Sequence, residues 1–597
     1  MMNKISFFNT RFKLFREKHD NLNQKTKTIS FLRVMVFLAY IFTIIYAANQ
    51  SNLSAILGAT AIFIVLFGIL VNYYNKTRFE SNHQKFLCQI NEDEILRFKI
   101  QLEKFDPGYE FLKSEHPYTA DLDIFGKSSI FQLINRTTTF IGRKTISTWL
   151  SKKSNKKEIL NRQNAVNELS ENIDWIQDYQ ACGMHYTQTT NINIFLKWLE
   201  SSTLISNHIL YKIYRFAAPI LLLLCLVSVF LFDISINWLI VIFVLNTLVL
   251  ISVQGKIKDI HDNTSLAINS LQGLEIIIRK IEASSFQSEK LITLQNIFSG
   301  SQRKTSDRIK KLKLILQNLD NRGNMIYQII NAFLMLDLHF SISAEKWKNN
   351  HPENIPIWFN TLGEMDALVS LAGFKFANPE YIFPTIIEGS HHFTAHQLGH
   401  PLIPYDDRVA NDFSLDKKGN IALITGSNMA GKSTFLRTVG VNYVLGLAGG
   451  PVCAKNCEIS ETQVFTSMRT QDNLEENISS FYAELKRIEQ LLAISDKEFP
   501  VFFLLDEILK GTNSHDRHLG AVSLVHQLAD KNTSGLISTH DIDLAKETSE
   551  GRKVANFSFN SRIDDNEIFF DYLLKPGVCK SFNASKLMEK MGIKLIK

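Results

Sequence analysis

Residues Ile421 to Arg437 read IALITGSNMAGKSTFLR, and the fold is decided there. An apolar run rich in Ile and Leu enters a glycine-bearing loop, and a segment with helical periodicity, Thr434 to Leu445, leaves it. The loop, Gly426-Ser427-Asn428-Met429-Ala430-Gly431-Lys432-Ser433, fills the pattern G-x-x-x-x-G-K-[ST] and runs on into Thr434. A strand before that pattern and a helix after it give it physical meaning as a polyphosphate cradle. Gly426 and Gly431 let the backbone bend so that successive N–H groups point inward, and the helix start adds a field that favours anions. Lys432 is placed to reach the β- and γ-phosphates of a nucleotide, and Ser433 to ligate Mg²⁺. The bland alternative, a glycine turn with a chance lysine, accounts for neither flank.

Further along, Val501 to Leu505 has the pattern of a buried strand and ends in Asp506-Glu507. An acid at the carboxyl end of a parallel strand beside the loop can hold Mg²⁺ through water. A second acid directly after it can orient and deprotonate an attacking water, so the pair predicts hydrolysis rather than binding alone. Gly535 to Ser538 reads as another strand that delivers Thr539-His540, which places His540 to report on the γ-phosphate.

A chain of 597 residues exceeds one ordinary domain and sets an expectation of about three to five units. A net charge of +6 spread over that length does not by itself argue for a nucleic-acid surface. Of the six cysteines, only Cys453 and Cys457 are close together. With no second Cys or His pair beside them, reduced thiols are the reading and zinc is disfavoured.

Residues 1–30 are polar and basic. Val34 to Ala48 and Ser54 to Tyr74 are uncharged, with a short polar turn between them. The second stretch reaches the roughly 20 residues a spanning helix needs. Arg33 stands before the pair, and Lys76 and Arg78 after it, which predicts a hairpin with both ends in the cytoplasm. Phe216 to Phe232 and Trp238 to Val253 repeat the design between Lys212 and Arg215 on one flank and Lys256 and Lys258 on the other. Neither hairpin carries an ionisable residue within its apolar stretches, which ranks a transport path last among the readings. Helical periodicity covers Glu92 to Lys104, Lys156 to Tyr179 and Ile257 to Leu338, with breaks near Gly300 and Asn321-Arg322-Gly323. The charge run Arg303 to Lys313 reads as a solvated helix face. A change to short apolar strands near Asn378-Pro379 marks the main soluble boundary.

With these residues in place, the carboxyl-terminal segment resembles the MutS family of mismatch-repair-type ATPases, themselves similar to ABC ATPases. Thr425 to Thr434 (TGSNMAGKST) parallels that family's TGPNMGGKST, and Leu509 to Asp516 (LKGTNSHD) parallels its G-R-G-T-S-x-x-D. Asp472-Asn473-Leu474 and Ser479-Ser480-Phe481-Tyr482-Ala483-Glu484 look like the D-D-L and S-T-F-x-x-E elements. Gly399-His400-Pro401 and Ala410-Asn411-Asp412 look like the segment that helps hold the adenine. The resemblance implies that Asn411 contacts the nucleotide. It implies also that Ser479 acts in trans on a partner's γ-phosphate, so that two ATPase domains form a composite site. Ser129 to Leu150 and Glu364 to Leu368 resemble the family's helical lever. The mismatch-reading domain has no counterpart, and Phe15-Arg16-Glu17 matches the Phe-x-Glu wedge only in letters.

The expected fold is therefore an α/β P-loop (ABC-type) ATPase domain plus an all-α lever domain, with four transmembrane helices in two hairpins. The expected parts are a basic arm (1–30), hairpin one (31–76), lever first part (77–211), hairpin two (212–256), lever second part (257–378) and ATPase domain (379–597). The expected activity is Mg²⁺-dependent ATP hydrolysis in a homodimer at the cytoplasmic membrane, moving the levers. DNA enters as the partner in the alternative reading, a repair or recombination factor tethered to lipid.

Overall fold

The computed structural model describes residues 2–185, 192–232, 235–265, 267–300, 304–350, 354–389, 391–427, 429–468, 480–497, 499–549, 554–564 and 567–579. Two long helices, α1 (Met2–Asn49) and α2 (Leu53–Phe98), reverse at Ser51, whose φ is 51°. Asn52 caps α2 by accepting from the N–H of Ala55 at 3.1 Å, which meets one of the orphan donors of a helix start.

The basic stretch is thus the first half of a helix. Its apolar residues Phe8, Phe15 and Ile29 are separated by multiples of seven and are buried. Phe15 packs with Leu87 and Ile90 of α2 and with Ala181, so the aromatic of the Phe-x-Glu letters lies in a helix seam, while Arg16 and Glu17 are exposed. Further along both helices the apolar side chains face outward, Phe42 being 73% exposed and Ile62 69%.

A helical body follows, comprising α3 (Ile130–Ile134), α4 (Phe140–Ser151), α5 (Lys156–Ser170), α6 (Ile173–Met184) and α7 (Ile192–Glu200). Next come the apolar pair α8 (Ile209–Phe232) and α9 (Asn237–Thr264), then α10 (Ala267–Glu282), α11 (Glu289–Ser299) and α12 (Thr305–Asp320). It closes with α13 (Met325–Leu334), α14 (Leu336–Asn349) and α15 (Asn354–Ala377). Helices α1, α2, α8 and α9 are long and apolar enough to cross a membrane, by length and composition. The periodic stretch from Glu92 belongs to α2 and stops at Phe98, shortly before Ile100 takes a φ of 55°. Lys156 to Tyr179 is divided where Asn172 caps α6 through the N–H of Trp175 at 3.0 Å.

The far end of α2 is pinned to the body by buried charge. Glu94 accepts from Arg136 Nε at 2.7 Å and Nη2 at 2.8 Å, and from Arg97 at 3.2 Å. The N–H of Arg136 donates to Ser370 Oγ of α15 at 2.8 Å. Asp366, one turn earlier on α15, accepts from the N–H of Thr139 at 2.9 Å and so holds the residue whose side chain caps α4. The Glu94 charge persists in the interior because two guanidinium groups pair with it, whereas burial, opposed by hydrogen bonds from Thr139 and Thr138, raises the Asp366 pKa to about 7.

Beyond α15 the chain forms two sheets. β1 (Thr385–Ile387), β2 (His392–Leu398), β3 (Asn411–Asp416) and β5 (Asn456–Ser460) pair in the order β1-β5-β2-β3. The second sheet is built from β4 (Ile421–Gly426), β6 (Gln463–Ser467), β7 (Val501–Asp506), β8 (Thr533–Thr539), β9 (Val554–Asp564) and β10 (Glu567–Pro576), in the order β10-β9-β4-β8-β7-β6. All its neighbours are parallel except β10 and β9. The helices of this part are α16 (Lys432–Leu447), α17 (Ser480–Ser495), α18 (Ser514–Asp530) and α19 (Ile542–Ser549).

Every residue of β4 and β8 is buried, as expected where helices cover both faces of a parallel sheet. The register pairs Thr425 with Thr539 and Asp506 with Ser538, which brings the carboxyl ends of β4, β8 and β7 to one edge. The acid-bearing strand does not adjoin the loop strand, because β8 lies between them. Strand order in a parallel sheet is set by long crossover connections, which leave no local trace in either strand.

Candidate active site

The glycine loop joins the buried end of β4 to α16. Gly431 has a φ of 103°, and a Cβ there would lie 3.1 Å from the Tyr572 ring. At Gly426 a Cβ would come 2.8 Å from the carbonyl oxygen of Phe559. Both positions therefore demand glycine. Lys432, the first residue of α16, is buried and its Nζ donates to the carbonyls of Gly426 at 2.9 Å and Ser427 at 3.0 Å. Burial lowers its pKa, opposed by the nearby carboxylates of Glu507 and Asp506. Ser427 Oγ is buried without a hydrogen-bond partner among the described residues, an orphan of the kind a phosphate oxygen satisfies.

Asp506 ends β7 and accepts from Ser538 Oγ on β8. Glu507 and Leu509 then turn the chain with φ values of 51° and 59°, a left-handed backbone that non-glycine residues adopt mainly where their surroundings force it. Glu507 Oε1 accepts from His540 Nε2 at 2.9 Å, and Oε2 pairs with Lys510 at 2.8 Å. The hydrogen bond from His540, with that from Lys510, outweighs burial and holds the Glu507 carboxyl down at about 2. His540 Nε2 also lies 3.3 Å from Lys432 Nζ. A ring nitrogen that donates to Glu507 has no lone pair left for an ammonium, so this second approach is a contact and not a bond.

Lys432, His540 and Glu507 therefore stand in line across the ends of β4, β8 and β7. Glu484 of α17 accepts from the N–H of Leu509. Phe481 sits 2.5 Å from where a Cβ of Gly511 would be. The start of α17 is thereby fastened to the turn that carries Glu507.

A cavity of about 440 Å³ opens beside the loop, with Met429, Ala430, Gly431, Lys432, Ser433 and Thr434 on one wall. His400, Asn411 and Tyr572 contribute to the rest. Burial, reinforced by Arg408 and Arg437, pushes the His400 pKa down to about 4, which keeps that imidazole neutral. Asn411 is at the cavity, but its amide is engaged elsewhere. Its Nδ2 donates to the carbonyl of Tyr572 at 3.0 Å and its Oδ1 accepts from the N–H of Leu574 at 2.7 Å. These bonds hold β10 where its register slips between Phe570 and Leu574, and they set Tyr572 over Gly431.

Tyr572 is a site residue that no motif singled out, whereas Lys510 and Glu484 lie inside quoted motifs that assigned them no role. Tyr572 has no local signal, since a register slip in a late strand brings it there. Asn428, Ser479 and Asp472-Asn473-Leu474 lie outside the described residues.

A mixed α/β domain whose parallel strands end on a glycine loop, an acid pair and a histidine is the class of protein this site defines. Residues 422–592 match the family model described as MutS domain V. The chain is 31% identical over 196 residues to "Endonuclease MutS2" of Lactococcus lactis subsp. cremoris, covering 32% of this chain and 25% of that protein. It is 30% identical over 234 residues to "DNA mismatch repair protein MutS" of Ehrlichia ruminantium, covering 38% and 28%. To the protein of the same name from Staphylococcus haemolyticus it is 26% identical over 338 residues, covering 55% and 37%. These matches identify residues 422–592 with MutS domain V and support MutS family membership for the segment they cover. The matches span between a quarter and two fifths of the length of those relatives.

Proposed function

We propose that this chain is a membrane-anchored ATPase that binds and hydrolyses ATP at the glycine loop and uses the cycle to move its helical body. The observation that carries the reading is the alignment of Lys432, His540 and Glu507 across three adjacent parallel strand ends, beside a loop with a buried, unsatisfied Ser427 hydroxyl. Lys432 exchanges the carbonyls of Gly426 and Ser427 for phosphate oxygens, and the first N–H groups of α16 face the same anion. Glu507, held ionised, orients a water and accepts its proton. His540 holds Glu507 in place and contacts Lys432, so it senses the γ-phosphate through both.

The oxygen donors Ser433 and Asp506 are of the hard type that Mg²⁺ takes, and these two residues would hold it. A Mg²⁺ ion held by them would supply charge neutralisation for the β- and γ-phosphates. Asn411 acts by fixing Tyr572 at the cavity.

A composite dimer site is supported by a second, wider opening of about 680 Å³ on the other side of Glu507 and His540, lined also by Lys510, His515 and Arg517. In this reading Ser479 of a second copy approaches there. Membrane anchorage is supported by the four apolar helices and their outward-facing side chains. In this reading the chain is a multi-pass protein of the cytoplasmic membrane, and α1, α2, α8 and α9 run on through the expected divisions at residues 30, 76, 211 and 256, while the division at 378 falls just after α15. The test is ATP hydrolysis by the full chain in lipid nanodiscs, where Lys432→Ala should abolish nucleotide binding. Membrane residence is tested by alkaline extraction of isolated membranes, which should leave the chain in the pellet.

The second reading, a DNA-binding repair factor tethered to lipid, is favoured by the names of the relatives and by exposed Lys310 and Lys311 on α12. DNA affinity that falls linearly on a log–log plot against salt would support it. No retention of duplex, mismatched or branched DNA at low salt would remove it.

A further inference from the structure

Helix α13 reads MIYQIINAFL and contains no Asp, Glu, Lys, Arg or His. Its three polar side chains are turned to the protein's own backbone or to Asp337. Tyr327 Oη donates to Asp337 Oδ1 at 2.9 Å, Asn331 Oδ1 accepts from the N–H of Asp337 at 2.8 Å, and Gln328 Nε2 donates to the carbonyl of Arg322 at 3.1 Å. Asp337 is itself buried and paired with Arg322 Nε at 2.8 Å. Four of the apolar side chains are exposed, Met325 77%, Ile329 54%, Ile330 41% and Leu334 40%, while Ala332 is buried and Gln328 shares the exposed surface. A helix at the surface of a protein in water shows the opposite arrangement, with its polar face out. Exposed apolar patches of this kind mark an interaction surface.

The position of α13 identifies what covers it. The Phe333 ring lies 5.3 Å from that of Phe243, and Asn246 Nδ2 approaches the Phe333 carbonyl at 3.5 Å. Both partners lie inside the apolar stretch of α9. The exposed apolar surface of α13 is thus continuous with that of the α8–α9 hairpin. Ten residues make a helix about 15 Å long, half of the about 30 Å a bilayer core requires, and short apolar segments of this length are buried, re-entrant or interfacial rather than spanning. Burial in this chain is excluded by the exposures.

Resting on the membrane-anchored reading above, we propose that α13 is a short helix inserted in the lipid of the cytoplasmic half of the bilayer, beside the α8–α9 hairpin. Its occupant surface is acyl chain. The helical body is then fixed to the membrane at a third place, between α12 and α14, in addition to the two hairpins.

The test places an environment-sensitive NBD label on single cysteines in the full chain, with Cys88→Ser and Cys225→Ser removing the two partly exposed native thiols. The positions are Ile329→Cys and Met325→Cys on α13, Leu223→Cys on α8 and Lys311→Cys on α12. The chain is reconstituted in vesicles of phosphatidylcholine and phosphatidylglycerol. Quenching is read with nitroxide lipids labelled near the headgroup or deep in the chain, and with aqueous iodide. The labels at 329 and 325 should lose most of their emission to the shallow nitroxide and little to iodide, while the label at 311 does the reverse. If 223 is quenched by the deep nitroxide but 329 and 325 by iodide, the hairpin stands and the insertion of α13 is refuted. Shielding of 329 and 325 from both quenchers refutes it in favour of a protein contact. Iodide access at 223 removes the membrane reading and the insertion of α13 with it.

Discussion

His540 Nε2 and Glu507 Oε1, carried at the ends of two neighbouring parallel strands, meet at 2.9 Å. The bond does two things at once. It keeps Glu507 a carboxylate, and it ties the position of that carboxylate to a ring that also touches Lys432. In Glu507→Gln the proton acceptor is gone while shape and packing remain, so turnover should fall by about 10²- to 10⁴-fold with ATP binding retained. His540→Ala should lower turnover less, because it loosens the base without removing it. Steady-state hydrolysis and equilibrium binding of a fluorescent ATP analogue separate the two.

The same bond should appear in the pH dependence of stability. The folded-state pKa of Glu507 is depressed from 4.5 to about 2 by His540 and Lys510. Its contribution is therefore fully present above the ordinary glutamate range and is lost as the pH falls through the window from 4.5 toward about 2. The difference in melting temperature between the parent and Glu507→Gln should be constant near neutrality and shrink below pH 4.5. A difference that grows on acidification would contradict the assignment.

Asn411→Ala removes both bonds to β10 and leaves the carbonyl of Tyr572 and the N–H of Leu574 without their partner. Unmade bonds at such sites cost about 1–3 kcal/mol. The variant should therefore melt earlier and also bind ATP more weakly, because Tyr572 is released from its place over Gly431. A residue that only touched the base would weaken binding and leave the melting temperature unchanged.

Glu94→Ala strips the partner from two buried guanidinium groups, those of Arg136 and Arg97. Breaking a buried pair in this way costs about 3–5 kcal/mol, and thermal unfolding in detergent should register it. The replacement should also loosen α2 from α15, since Arg136 bridges Glu94 and Ser370.

The loop and its two flanks were legible because strand, glycine turn and helix start are all local features of Ile421 to Leu445. So were β7 and β8, as apolar runs ending in Asp506-Glu507 and Thr539-His540. The interposition of β8 was not legible, since no residue of β4 or β7 encodes which strand comes between them. Composition concealed the helical character of the basic stretch, because lysines and arginines outnumber the seven-residue series of Phe8, Phe15 and Ile29 that is buried. Asn411 was placed at the cavity by resemblance, but its bonds go to β10, because a slip in register 160-odd residues later presents Tyr572 and Leu574 to it. Helix α13 was absorbed into a long periodic stretch. Its period is helical, but which way its polar stripe faces depends on Asp337 in the next helix.

The most direct measurement is Mg²⁺-dependent phosphate release by the purified full chain in lipid nanodiscs, compared with Lys432→Ala and Glu507→Gln under the same conditions. Hydrolysis by the parent, loss of both binding and hydrolysis in Lys432→Ala, and binding without hydrolysis in Glu507→Gln are the expected results. Equal phosphate release by all three would contradict them.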